Sequence, residues 1–91
     1  MKIEYTPQFQ NQYKQYISKD KNLRQDFKDA LDLFKQGIDL YNSELRDHPL
    51  KNKLKGYRSF SINYSYRVVY RIRGGVVVLF RVGPTTRFIS K

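Results

Sequence analysis

The sequence predicts an α+β fold: an N-terminal strand, then a two-helix antiparallel hairpin packed on one face of a twisted antiparallel sheet of about four to five strands. Three observations carry this. Apolar residues recur at helical spacing between Pro7 and Gln36 and alternate with polar ones from Gly56 onward. Helical and strand segments are segregated along the chain, the pattern of α+β rather than α/β. With 91 residues there is room for one domain, residues 1–91, and one modest core.

The elements follow in order. In Met1–Tyr5, Ile3 and Tyr5 alternate with Lys2 and Glu4, which predicts a short strand. Thr6-Pro7 reads as an N-cap with proline at the first helical position. Phe9, Tyr13, Tyr16 and Ile17 then form one apolar stripe of a helix running to about Lys19. Asp20–Asn22 is a polar break, and Asn22 with Gln25 resembles a capping box. Leu23, Phe27, Ala30, Leu31 and Phe34 predict a second helix to about Gln36, with Gly37 as a left-handed C-cap. Both stripes are read as core. Ile38–Leu50 is mixed, and Pro49 biases His48 away from helix. Lys51–Lys55 is a basic loop. Phe60 and Ile62 alternate with Ser59, Ser61 and Asn63, and a second alternating run covers Tyr66–Arg73. Gly74-Gly75 signals a two-residue hairpin, Val76–Val82 returns, and Thr85–Lys91 is a candidate edge strand.

The charge is unevenly spread. Eighteen Lys and Arg against eight Asp and Glu give a formal net charge of +10. Residues 1–47 hold eight basic and eight acidic side chains, whereas residues 48–91 hold ten basic ones and no acid. A field of one sign attracts polyanions, and nucleic acid is the leading candidate. An acidic protein partner is the runner-up. The basic residues are not on an amphipathic helix and no apolar run approaches the roughly 18 residues of a span, so no membrane role is expected. The N-terminus carries no apolar leader, and a cytoplasmic domain is the expectation.

Pairing across Gly74-Gly75 sets Arg73 opposite Val76, Arg71 opposite Val78, Val69 opposite Phe80 and Arg67 opposite Val82. Tyr66, Val68, Tyr70, Ile72, Val77 and Leu79 then face the helices. Arg67, Arg71 and Arg73 lie on an open face, joined by Ser59 and Ser61. Arg81 falls in the core file on this count, a conflict that a bulge or a rim position resolves. The expected RNA-binding set is Lys51, Lys53, Lys55, Arg58, Tyr64, Arg71, Arg73 and Arg81. Tyr57, Tyr64 and Phe88 are the aromatics placed near it for stacking on bases, although tyrosine is also simply a good strand residue.

No cysteine and one histidine exclude thiolate and poly-histidine metal sites, and no cofactor motif is present. His48 with Lys, Arg, Ser, Thr and Tyr can still cleave RNA without a metal. A 2′-hydroxyl attacks the adjacent phosphorus, a base takes its proton, and cations stabilise the charge on phosphorus. His48 is equally read as a loop histidine packing near Pro49.

Several short motifs, in order, resemble one family. They are His48-Pro49-Leu50, Leu54-Lys55-Gly56-Tyr57-Arg58, Tyr66-Arg67-Val68-Val69-Tyr70 and Val78-Leu79-Phe80-Arg81-Val82-Gly83. The chain is similar over nearly its whole length to the RelE/ParE superfamily of bacterial type II toxin–antitoxin toxins, above all to its YafQ-like branch. The resemblance implies a RelE-like fold and a ribosome-dependent endoribonuclease that cuts mRNA in the ribosomal A site. It also implies a cognate antitoxin, with a monomer when free and a hetero-oligomer with the antitoxin. By position, Arg67 takes the role of the catalytic arginine and His48 that of an acid or base. Arg87 and Phe88 take those of a cation and an aromatic. The chain departs from the branch at Ser61, Ser65 and Thr85, where relatives carry histidine, aspartate and histidine. Lys53, Lys55, Arg58 and Tyr64 are the candidate substitutes. Those departures keep two other readings open: a ParE-like toxin that inhibits DNA gyrase without catalysis, and a degenerate member that only binds antitoxin or RNA.

Overall fold

The structure, a computed structural model, describes residues 2–37 and 45–88; the side chains of His48, Arg87 and Phe88 lie outside the described residues. Strand β1 is Lys2–Tyr5. Helix α1 is Pro7–Gln12, extended by a widened π turn over Tyr13–Ile17, and α2 is Lys21–Gln36. Strand β2 is His48–Pro49, β3 is Arg58–Ser61, β4 is Tyr66–Arg73 and β5 is Val76–Pro84; a short helix α3, Thr85–Phe88, follows. The sheet order is β1-β5-β4-β3-β2.

Local chemistry explains most of these boundaries. Thr6 caps α1 by accepting from the Phe9 amide, with Pro7 at the first helical position. The cap of α2 is Asp20, which accepts from the Leu23 amide, and not Asn22 as the sequence suggested. The helix starts there because the Asp20 amide closes the preceding turn onto the Ile17 carbonyl. Gly37 ends α2 at φ −131°, so the expected left-handed cap is not formed. Gly74 and Gly75 both have positive φ, 57° and 79°, which suits the tight turn between β4 and β5. The candidate edge strand at Thr85–Lys91 is instead helical over Thr85–Phe88, and residues 89–91 lie outside the described residues.

The predicted helix stripes form the core. Phe9, Ile17, Leu23, Phe27, Ala30, Leu31 and Phe34 pack on Phe60, Val68, Tyr70, Val77, Leu79 and Val82. Phe34 stacks on Phe60 and meets Tyr70 edge-on, each at 4.7 Å between ring centroids.

Two corrections concern the sheet. The expected antiparallel sheet is mixed, because β1 pairs with β5 in parallel. No tight turn joins these two strands, so nothing local dictates their direction. The pairing of β4 with β5 also shifts. Tyr70 faces Leu79 but Val69 faces Arg81, so Phe80 is the extra residue of a β-bulge. Val69 therefore opposes Arg81 rather than Phe80, and Arg67 opposes Gly83 rather than Val82. The bulge removes Arg81 from the core file and sets it on the face of Arg67. Helix α1 and its cap hold the bulge in place. Thr6 donates its amide to the Leu79 carbonyl and its hydroxyl to the Phe80 carbonyl, and Gln12 Oε1 accepts from the Val82 amide.

Candidate functional site

Beyond the helices, the face of β3, β4 and β5 carries alternate residues of each strand, as the strand period requires. Arg67 stands at its centre, opposite Ser61 on one side and Gly83 on the other. The sequence put Arg67, Val69, Ser59 and Ser61 on an open surface; all four are buried. At Ser59, Ser61 and Arg67 the chain at Leu45–Pro49 contributes to this, running along the outer edge of β3. Leu45 O accepts from the Ser61 amide at 2.6 Å, and His48 and Pro49 pair with Ser59 and Arg58.

The Arg67 guanidinium reaches across β3 into this edge. Nε donates to Ser59 Oγ at 2.7 Å and Nη1 to Ser61 Oγ at 2.6 Å. Nη2 donates to the Arg46 carbonyl at 3.0 Å and the Ser59 carbonyl at 3.2 Å. Burial lowers the Arg67 pKa from its ordinary value, the nearby Arg46 lowers it further, and Asp47 works against both.

Arg58 points the other way. Its Nε donates to Asp47 Oδ1 at 3.1 Å and to Tyr70 Oη at 3.2 Å, while Tyr70 donates to Asp47 Oδ2 at 2.6 Å. Burial raises the Tyr70 phenol well above its ordinary range, and the Asp47 carboxylate adds to the rise. Neither Asp47 nor Tyr70 stood out as a site residue in the sequence. One signal was there: Asp47 is the last acid in the chain.

The remaining basic residues separate into two groups. On the same face as Arg67, the guanidinium of Arg81 lies 5.0 Å from the Phe80 ring centre, and the Phe80 and Tyr57 rings lie 5.0 Å apart. Arg71 lies over Tyr57 at 5.2 Å. Arg71, Tyr57, Phe80 and Arg81 thus form a row in which two neighbouring rings are flanked by a cation at each end, and each adjacent pair is attractive. Arg73 is exposed at the far end of β4. Lys51, Lys53 and Lys55 are exposed on the loop between β2 and β3, around a single 3₁₀ turn over Asn52–Leu54. Tyr64 is 85% exposed between β3 and β4, with the Arg46 guanidinium 5.1 Å from its ring centre.

The three positions of departure gather at one end of the face. Ser61 is bonded to Arg67, the Ser65 carbonyl accepts from the Thr85 amide at 2.7 Å, and Thr85 donates its hydroxyl to the Tyr64 carbonyl. His48, Arg87 and Phe88 are placed by backbone alone, on β2 and α3. Among the described residues no cluster of His, Cys, Asp and Glu could hold a metal ion, and no helix is long and apolar enough to cross a membrane. On the helical side, Tyr5, Phe9, Tyr13 and Phe27 line an apolar groove of about 370 Å³ bordered by Lys14 and Gln10.

Comparison with known proteins places this geometry. The model of the family described as bacterial toxin of type II toxin–antitoxin system, YafQ, matches residues 1–88. None of the curated proteins matches the chain. Among solved structures, YafQ from E. coli strain BL21(DE3) is 23% identical with a TM-score of 0.78, covering 97% of each chain. A YoeB/ParE toxin from Agrobacterium tumefaciens is 22% identical with a TM-score of 0.76, over 92% of this chain and 98% of its own. The E. coli DinJ-YafQ complex contains a chain 23% identical to this one, with a TM-score of 0.76 over 97% of each chain. At these identities the structural likeness speaks for the fold.

Proposed function

The chain belongs to the YafQ family of bacterial type II toxin–antitoxin toxins, and we propose that it acts as a ribosome-dependent endoribonuclease that cleaves mRNA on the β4–β5 face. The observation that carries this reading is the row of cations and rings there. Arg81, Phe80, Tyr57 and Arg71 follow one another there, two rings between two arginines, on the face of the buried Arg67. Guanidinium groups neutralise phosphates and rings stack on bases, which suits a single strand.

The chemistry needs a base, an acid and cations. The 2′-oxygen of the substrate bonds to the adjacent phosphorus while the bond to the 5′-oxygen breaks. The products are a 2′,3′-cyclic phosphate and a 5′-hydroxyl. His48, carried by β2, is the group assigned to proton transfer. Arg81 is half-buried on the strand facing Val69, and we assign it to the charge that builds on phosphorus. Arg67 already has four described hydrogen bonds to its own chain, so its part is to hold the frame rather than to meet the phosphate. Lys51, Lys53 and Lys55 offer exposed charge for the RNA backbone or rRNA, with Arg73 and Tyr64 at the rim. Arg58 serves the interior, through Asp47. Arg87 and Phe88 keep the roles the resemblance implies. The partner is a cognate antitoxin, whose apolar residues fit the groove of Tyr5, Phe9, Tyr13 and Phe27 and whose acidic residues meet the basic face.

One observation favours a second reading. Ser61, Ser65 and Thr85 bring no group that titrates near neutral pH to the end of the face beside Arg67. A ParE-like inhibitor of DNA gyrase needs none. Cleavage mapping on a defined mRNA in a reconstituted translation reaction, with and without ribosomes, decides between the two. In-frame cuts that require ribosomes are expected. Intact mRNA in both reactions overturns the ribonuclease, and inhibition of supercoiling by purified gyrase then supports the second reading.

A further inference from the structure

We propose that Asp47, Tyr70 and Arg58 form a positioning clamp, which fixes the chain at Leu45–Pro49 to the sheet and so sets the backbone of His48 for reaction and keeps the frame held by Arg67 in place. The proposal rests on the ribonuclease reading above.

Tyr70 states the case. Its ring is wholly buried between Phe34 and Phe60, where phenylalanine fills the same space. A buried hydroxyl is destabilising unless it is bonded. Here it donates to Asp47 at 2.6 Å, so the group that distinguishes tyrosine from phenylalanine acts on the edge chain. Asp47 is itself buried, with its side chain 5% exposed, and its second oxygen accepts from Arg58. The carboxylate is thus held from two strands, β3 and β4.

The edge chain needs such a hold. Strand β2 has two residues, too few to keep a register on their own. Arg46 has a φ of 52°, a left-handed conformation that a residue with a side chain adopts only when its surroundings impose it. Each neighbour of Asp47 then makes a contact the site depends on. Arg46 O receives Arg67 Nη2, Leu45 O receives the Ser61 amide, and the Leu50 amide bonds the Tyr57 carbonyl at 2.9 Å. His48 lies one residue beyond Asp47, opposite Ser59. Three stretches far apart in sequence, around residues 47, 58 and 70, meet in this one cluster.

The test compares the parent with Tyr70→Phe, Asp47→Asn and the double variant. Asp20→Ala serves as a control that loses only the remote cap of α2. Cleavage is measured by kcat and KM in the reconstituted translation reaction, well below the melting midpoints. Amide hydrogen exchange is measured at Ser61 and Leu50. Tyr70→Phe and Asp47→Asn each lower kcat about 10- to 100-fold, the range produced by misplacing a reacting group by about 1 Å. KM stays within about threefold, and exchange at both amides speeds at least about tenfold. The double variant is no worse than Asp47→Asn alone, because both act on one hold. Asp20→Ala melts about 4–8 °C lower and cuts at the parental rate. Unchanged exchange in Tyr70→Phe overturns the clamp. Faster exchange with unchanged kcat overturns its role in positioning. A parent protein that leaves the mRNA intact overturns the ribonuclease reading and the positioning role with it, while exchange still decides whether the clamp exists.

Discussion

Replacing Arg67 by lysine removes the planar fork and keeps the charge, which separates the geometry of the buried guanidinium from its electrostatics. Arg67 donates from three nitrogens to four described acceptors, Ser59 Oγ, Ser61 Oγ and the carbonyls of Arg46 and Ser59, at 2.6–3.2 Å. An ammonium at the end of a flexible stem keeps one or two of these. The loss is then two to three charge-assisted bonds, at about 1.5 kcal/mol each, or about 3–4 kcal/mol. That is a large share of the roughly 5–15 kcal/mol that holds a domain of this size folded. At about 4–8 °C per kcal/mol, the midpoint falls by about 12–30 °C. Far-UV circular dichroism against temperature, with a urea titration alongside, reads both the shift and the slope. A lower urea midpoint at constant slope is the expected outcome. The same substitution in a Ser59→Ala, Ser61→Ala background costs clearly less, because two of its acceptors are already gone. A midpoint within about 4 °C of the parent, or full additivity with the serine variants, refutes Arg67 as the strut between β4, β3 and the edge chain.

Arg81→Ala behaves in the opposite way: the fold tolerates it, with a midpoint within about 4 °C, while ribosome-dependent cleavage drops about 10²- to 10³-fold. Thr6→Ala removes both the cap on the Phe9 amide and the bond to the Phe80 carbonyl that fixes the bulge. It destabilises by about 2 kcal/mol in a urea titration. The Tyr70 phenol is raised in the folded chain, so its contribution is complete below the unfolded value near about pH 10 and is lost as pH rises beyond it. Urea midpoints across that window should fall more steeply for the parent than for Tyr70→Phe, by at most about 1.4 kcal/mol per pH unit.

What the sequence carries well is short-range and periodic. The stripe of Leu23, Phe27, Ala30, Leu31 and Phe34 is buried as its spacing requires, and the paired glycines make the predicted turn. The bulge was legible as a contradiction, since the alternation put Arg81 in the core file after Val77 and Leu79. Its position was not legible, because Thr6 and Gln12 stabilise it through bonds that span 74 and 70 residues. The direction of β1 was hidden for the same reason: only contacts distant in sequence decide it. Arg67 was assigned to the correct face but to the wrong environment. An arginine in a strand is ordinarily exposed. Its burial depends on where Leu45–Pro49 crosses the edge of β3, and no local pattern encodes that crossing. The site residues that were missed, Asp47 and Tyr70, look like a loop acid and a core aromatic until the fold brings them to 2.6 Å.

The way the buried charge is solvated bears on function. The described acceptors of Arg67 include two hydroxyls and two carbonyls, which stabilise the guanidinium by their dipoles. The nearby acid, Asp47, accepts from Arg58 and Tyr70. Among the described residues, Asp47 shares this corner with the guanidinium groups of Arg46, Arg58 and Arg67, and residues 48–91 hold ten basic side chains and no acid, so the excess over that stretch is positive. Arg81 lies diagonally across from Arg67 on the same face, and the chain from Lys51 to Lys55 adds three exposed ammonium groups. In a low-dielectric setting such an excess acts at longer range than the same charges in water. An anion arriving at Arg81 meets a potential built partly from a group it need not touch.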